Sequence, residues 1–314
     1  MLIFRYPYNG MKKFITLCLT LSTAVLVWSF TVPKKEERTK AVGSLFHLSP
    51  DLKAAFDPGE DFSPVPKPGG LDWLATHKEE GQTYNEFLKS KPNRPGARGR
   101  KFIYLQPVGV FPAGAPDLEV LKSYLEAYFH PMPVKLAKAL ILKPTSKVQS
   151  RGDQINSTDL LNALQTRVPA DAHVMMGVTM KDLYPGPGWN FVFGVARLKR
   201  RCGVFSFARY GIEEDPKLAL LRAMKVISHE TGHAFGIKHC IHFHCLMNGS
   251  NSLSETDRAP LYFCPACLRK IHWGLKFQPS ERYQKLVEFL KKNDFKEQAG
   301  WFSMRAEKTR AVIK

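Results

Sequence analysis

Two periods of apolar positions run along the chain. Lys101–Phe111 (KFIYLQPVGVF), Val134–Leu142, His173–Met180, Phe191–Leu198 and Val204–Tyr210 are short runs rich in β-branched, aromatic and other apolar residues, and they read as strands. Between them the period lengthens. In Ala115–His130, Leu118, Leu121, Tyr124, Leu125 and Tyr128 share one helical face. Asn156–Arg167 opens on the capping residues Ser157, Thr158 and Asp159. Asp215-Pro216 starts a long helix with Leu218, Leu221, Met224 and Ile227 on one stripe. The order β-α-β-α-β-β-β-α predicts an α/β (α+β) fold. Its sheet is largely parallel, and the late strands without helices require at least one antiparallel member.

The flanks read differently. Residues 41–100 are rich in Pro, Gly and basic residues (PVPKPGG, KPNRPGARGR), which predicts an extended surface segment with one short helix near Leu71–Thr76. Pro279–Lys292 has helical spacing, and residues 296–314 read as a basic, frayed tail. No internal repeat is visible.

The composition is that of a globular chain: 314 residues, 44% hydrophobic, 24% charged. Such a chain buries enough surface to fold without a disulfide framework and is too apolar to be mainly disordered. The net charge of +18 points to anionic partners, but its distribution weakens that reading. Residues 1–40 contribute +5 and residues 269–314 contribute +7, which leaves an ordinary middle with no aromatic-basic nucleic-acid motif. Nucleic acid is therefore an unfavoured partner.

Residues 14–30 (FITLCLTLSTAVLVWSF) carry no charge and lie between Lys12-Lys13 and Lys34-Lys35. A basic start followed by an apolar run describes a secretory signal or an uncleaved anchor, so residues 1–40 are set apart from the fold. This expects a protein that is exported, periplasmic or secreted, or held at a membrane. The nearest small-residue cleavage site is Ala41-Val42-Gly43. Met11 before two lysines is an alternative start. If the whole segment is a gene-model artefact, the protein is cytoplasmic.

Chemistry concentrates where the long helix ends, at SHETGHAFGIKHC. His229 and His233 are four residues apart, so a helix puts both imidazoles on one face where they can share a metal. Glu230 points elsewhere and suits a general base better than a ligand. Gly236 allows a sharp turn, after which His239 can return as a third ligand. Three neutral imidazoles leave one position of a tetrahedral Zn²⁺ open for water. Such a metal acidifies its water and polarises a carbonyl, and Glu230 can carry the proton to the leaving amine. The constellation is that of metal-assisted amide hydrolysis.

Cys240 and Cys245 form C-x4-C, and Cys264 and Cys267 form C-x2-C. Two close pairs joined by a short loop suit a closed, all-thiolate structural zinc. Two disulfides or loose thiols are the alternatives, and His242 or His244 could replace one cysteine. Cys202 is left as an ordinary thiol. Met247 follows Cys245 by two residues and on composition alone would be a core methionine.

HExxHxxGxxH followed by a Met-containing turn resembles the metzincin zinc peptidases. The adjacent Cys240, the C-x4-C pair, Cys245-Leu246-Met247 and the later Cys264-Pro265-Ala266-Cys267 resemble the archaemetzincins in particular. So do Asp182–Gly194 (DLYPGPGWNFVFG) and Gly203–Gly211 (GVFSFARYG). The resemblance implies a twisted mixed sheet with an antiparallel edge strand, a backing helix and an active-site helix. It implies two zinc ions per chain: His229, His233 and His239 bind the catalytic one, and Cys240, Cys245, Cys264 and Cys267 the structural one. Glu230 is then the catalytic base and acid, and Met247 the Met-turn floor. The catalytic domain would span residues 101–295, with the zinc module at 240–270. Activity would be aminopeptidase-like on peptide or protein substrates. Val204–Tyr210, just before the helix, would be the edge strand that pairs with substrate. A zinc-stabilised, inactive peptide-binding module is the rival reading.

Overall fold

The computed structural model describes residues 30–142, 147–198 and 200–312. The apolar run at residues 14–30 lies outside these but for its last residue. Among the described residues, no helix is long and apolar enough to cross a membrane.

A five-stranded sheet organises the molecule. Its strands are β1 (Phe102–Val108), β2 (Val134–Leu136), β5 (Ala172–Thr179), β7 (Gly194–Arg197) and β8 (Cys202–Ser206), in the order β2-β1-β5-β8-β7. All neighbours are parallel except β7, which runs antiparallel to β8 with Val195 opposite Val204. A second, three-stranded sheet joins β3 (Ser150–Arg151), β4 (Gln154–Asn156) and β6 (Asp182–Tyr184). Strands of two or three residues are too short to show a period, so this sheet had no signal in the sequence.

Helices cover both faces of the large sheet. Every residue of β5 is buried, as a central strand clad on both sides requires. Its alternate side chains part company. Val174, Met176 and Val178 join the core shared with α5 (Leu118–Tyr128) and α7 (Pro216–Ala234), while Met175 joins the core under α6 (Ser157–Gln165). Gly177 is a close approach: a Cβ there would stand 2.5 Å from Leu164 Cδ1 of α6. Tyr124 on α5 and Ser228 on α7 share a buried 2.8 Å hydrogen bond, which fixes one helix against the other.

The strand expected at the edge is not there. β8 ends at Ser206, is buried throughout and sits between β5 and β7. The chain makes its outer strand first. A turn with Arg201 at φ +59° then brings β8 inward beside β5. The edge is β7, whose burial is only partial.

The amino-terminal segment is also more structured than its Pro and Gly content suggested. It forms α1 (Lys35–Val42), α2 (Pro50–Phe56), α3 (Trp73–Thr76) and α4 (Tyr84–Lys89). Only α3 was foreseen. Phe56, Phe62 and Phe87 are fully buried, and α1, α2 and α4 pack on α9 (Pro265–Leu275). Helices of four to eight residues carry too few turns for a readable period, and isolated aromatics supply their buried face. Residues 35–40, set apart with the leader, belong to α1.

At the other end, the expected frayed tail is α11 (Lys296–Ala311), laid along α10 (Pro279–Lys292). Ala299, Phe302 and Ala306 are buried, and Trp301 stacks on Tyr262 at 3.8 Å. Part of the basic charge from residue 269 onward is internal. Arg269 donates to Val42 O, Arg282 to Tyr128 O, and Arg305 to Ala54 O and Asp61. α8 (Leu253–Arg258) completes the set, with Lys225 of α7 donating to the Thr256 and Asp257 carbonyls at its end.

Candidate metal centre

Asp215 caps α7 by accepting from Leu218 N at 2.9 Å, and Pro216 takes the first helical position, where its missing N–H costs nothing. The helix runs to Ala234, so His229 and His233 lie one turn apart with ring centroids 4.6 Å from each other. Gly236 then adopts φ +94°, a conformation a β-carbon opposes. Gly236 N bonds His233 O and Ile237 N bonds Gly232 O, so the helix closes and the chain doubles back. This return brings His239 to 5.3 Å from the His229 ring and 5.0 Å from the His233 ring. All three rings are buried, and each offers a nitrogen within 4.8 Å of those of the others.

The Nδ1 atoms are all committed. His229 Nδ1 donates to Leu246 O at 2.8 Å, His233 Nδ1 to Ile237 O at 2.6 Å, and His239 Nδ1 to Glu79 Oε1 at 2.7 Å. Nε2 is therefore the atom on each ring that could face a shared ion. His229 Nε2 is buried with no hydrogen-bond partner among the described residues. Burial pushes His229 down to about 3 and holds His233 and His239 well below the usual imidazole range, which keeps all three in the neutral, metal-binding form. The donor set and its geometry fit a zinc ion.

Glu230 is fully buried between α7 and the edge strand. A Cβ at Gly194 of β7 would stand 3.0 Å from Glu230 Cγ, so glycine makes the room. Burial pushes the Glu230 carboxyl up to about 7. Neither oxygen reaches a hydrogen-bond partner among the described residues. A cleft of about 840 Å³ opens beside it, lined by Ala196–Leu198 of β7 and beyond, by Lys78–Glu80, and by His233 and His239.

The four cysteines converge a few residues away. Cys264 caps α9 and Cys267 lies in its first turn, while Cys240 and Cys245 come from the loop after α7. Their sulfurs lie within 4.8 Å of one another, and Cys240 Sγ is 3.7 Å from Cys264 Sγ, far beyond the ~2.05 Å of a disulfide. All four are free thiols in the structure, so it holds neither of the two disulfides. Met247 N and Cys264 N both donate to Cys245 Sγ, at 3.4 and 3.2 Å. Neighbouring thiols hold Cys240 well below the ordinary thiol range, whereas burial pushes Cys245 and Cys264 well above it. A buried set like this can ionise fully only around a cation, so it too fits zinc.

Met247 is fully buried, and a Cβ at Gly232 would meet its sulfur at 2.6 Å. It therefore lies against α7 between the two helical histidines. His242 and His244 fall outside both clusters. Cys202 is buried in β8, where its thiol is pushed up to about 12. Sequence reasoning missed Glu79 and also Asn248, whose side chain ties the cysteine loop through Cys240 O (2.7 Å), Phe243 O (2.9 Å) and Cys245 N (2.8 Å).

The family model described as peptidase family M54 matches residues 157–273, which hold both clusters. Human archaemetzincin-2 is 33% identical over 279 residues, covering 76% of this chain and 78% of that protein. This chain belongs to the archaemetzincins. It is thus a zinc metallopeptidase, a hydrolase acting on peptide bonds. Human archaemetzincin-1 is also 33% identical, over 69% of this chain and 51% of that protein. The solved archaemetzincin of Methanopyrus kandleri is 33% identical, covers 57% of this chain and 98% of its own, and superimposes with a TM-score of 0.48.

Proposed function

We propose that this archaemetzincin hydrolyses peptides at the cleft beside β7. His229, His233 and His239 would hold a catalytic zinc, and Cys240, Cys245, Cys264 and Cys267 a second, structural one. The carrying observation is the convergence of three Nδ1-anchored imidazoles on one point beside a buried, unpartnered carboxylate. When bound, zinc supplies a Lewis acid that polarises the peptide carbonyl and makes water a usable nucleophile near neutral pH.

The remaining steps belong to the chain. A substrate peptide pairs with the open edge of β7 by strand addition, which sets the scissile bond alongside α7. Glu230 accepts a proton from the attacking water at one carboxylate oxygen and returns it to the leaving nitrogen. Its buried setting favours the protonated form, which suits a group that must take up a proton and then release it. Met247 forms an apolar floor that keeps α7 and the His239 return in register. In this reading α7 is the active-site helix and α5 the backing helix.

The aminopeptidase-like preference that the family resemblance implies finds support in Glu80. Its side chain is 88% exposed in the cleft and lies 3.7 Å from Lys238 Nζ, a partner it would exchange for a substrate's terminal ammonium. Residues 14–30 are proposed to direct export or membrane anchoring, and mass spectrometry of the mature amino terminus tests this.

Glu230→Gln is the decisive variant. Peptide hydrolysis should fall to background while metal analysis still finds two zinc ions per chain. Retained hydrolysis would sink the mechanism. Two bound zinc ions with no hydrolysis by the unaltered protein would favour the peptide-binding module instead.

A further inference from the structure

The three histidines are not held alike. His229 and His233 each donate Nδ1–H to a backbone carbonyl of the nearby loop, at Leu246 and Ile237. His239 donates instead to a carboxylate, Glu79, 160 residues earlier in the chain. That carboxylate is itself fixed, because the Trp73 indole N–H donates to the same oxygen at 2.8 Å. Trp73 in turn is anchored. Its backbone N–H donates to Glu255, its ring stacks on His77 at 3.8 Å, and the ring edge lies against Gly249, where no side chain intervenes.

We propose that Glu79, positioned by Trp73, completes the His-ligated zinc site as a positioning residue acting through His239. The inference rests on the function proposed above. A carboxylate behind an imidazole fixes the ring's tautomer and orientation and raises the basicity of the opposite nitrogen. It also brings a negative charge to a donor set that is otherwise neutral, which strengthens the hold on a divalent cation. A backbone carbonyl supplies orientation but no charge, so His239 is the ligand through which this chain tunes its metal. The segment that supplies the carboxylate follows α3 and lines the substrate cleft at Lys78–Glu80. It therefore forms part of the active site.

The test is zinc affinity, measured by competition with a chromogenic chelator on the full-length, zinc-loaded protein. Glu79→Gln keeps the shape and the acceptor oxygen but removes the charge. Its His-site affinity should fall about 10- to 100-fold. The Cys-ligated zinc should be unmoved, and the metal-free protein should melt at the temperature of the unaltered one. Cobalt substitution gives a second readout, because the His-site absorption bands should shift in the variant while the thiolate bands do not. Affinity within twofold of the unaltered protein overturns the proposal. So does an equal loss of melting temperature with and without metal, which marks a purely structural role. If Glu79→Gln does not fold, Trp73→Phe keeps the carboxylate and removes one of its donors. It should weaken the His site severalfold, and no change overturns the proposal. An unaltered protein that binds zinc only at the cysteines fails the function proposed above, which a two-zinc protein indifferent to Glu79 does not.

Discussion

Gly249→Ala probes the link between the amino-terminal segment and the metal centre. A β-carbon at Gly249 would lie 2.4 Å from Trp73 Cδ1 and 2.6 Å from both Cγ and Nε1. Ordinary van der Waals contact begins near 3.4 Å, so the indole must retreat by about 1 Å. It cannot do so cheaply. The ring is rigid, the Trp73 backbone N–H is bound to Glu255 at 3.0 Å, and its Nε1 is bound to Glu79 at 2.8 Å. Overpacking of this kind costs about 1–3 kcal/mol. For a chain of 314 residues that is a fall in melting temperature of roughly 1.5–5 °C. Moving the indole also loosens Glu79, so zinc affinity at the histidines should fall with it. Gly300→Ala is the matched control. Gly300 sits within α11, and no atom outside its immediate surroundings lies within 4 Å of an added Cβ. It should therefore stabilise the protein by about 0.5–1 kcal/mol through helix propensity alone. Scanning calorimetry of both variants, with and without zinc, decides the matter. A Gly249→Ala protein that melts with the unaltered one and keeps its zinc affinity refutes the packing described around Trp73.

Two further outcomes concern buried charge. Burial holds Lys225 down to about 8 from its ordinary 10.5, so its charged form is penalised in the folded state. The penalty is complete below about pH 8 and fades as pH rises toward the unfolded value. The stability of the unaltered protein relative to Lys225→Met should therefore rise between about pH 8 and 10.5 in denaturant titrations. A flat difference would show that Lys225 is not desolvated. Asp61 is bonded by Lys308 and by Arg305, whose side chain is only 3% exposed. Asp61→Asn leaves that guanidinium short of its counter-charge and should cost about 2–3 kcal/mol of unfolding free energy, a discount for the partial exposure of Asp61 itself. A loss below 0.5 kcal/mol, on the order of a surface pair, would refute that account.

What the sequence displayed of the fold is its long-period part. α5, α6 and α10 each bury one stripe, α7 is buried all round from Ala223 to Ala234, and all four open on a capping side chain or a proline. The strand runs were visible too, as was the need for an antiparallel member. Strand order was not. Val204–Tyr210 and Phe191–Leu198 are both apolar runs, and nothing local says which lies inside. Likewise α11 buries Ala299, Phe302, Arg305, Ala306 and Thr309, a face of small, polar and scattered residues that high local charge hides.

The site divides along the same physical line. His229, Glu230, His233, Gly236 and His239 are legible because helix geometry and one glycine turn fix their relation within eleven residues. The cysteine pairs are legible because each pair sits on one turn. Glu79 is not, because it reaches His239 only once the segment carrying α1, α2 and α4 has packed on α9, and no spacing rule connects positions 160 residues apart. The same packing is what a Pro- and Gly-rich composition conceals. Buried Phe56, Phe62 and Phe87 hold the segment, at about 1.5–3 kcal/mol for each fully buried aromatic side chain. Its prolines and glycines only shape the turns between short helices. A metal centre assembled from local motifs thus depends on a distant segment for its charge. Substitutions at Trp73 or Glu79 should therefore register as altered zinc affinity, whereas truncation of Phe56, Phe62 or Phe87 should register as lost stability.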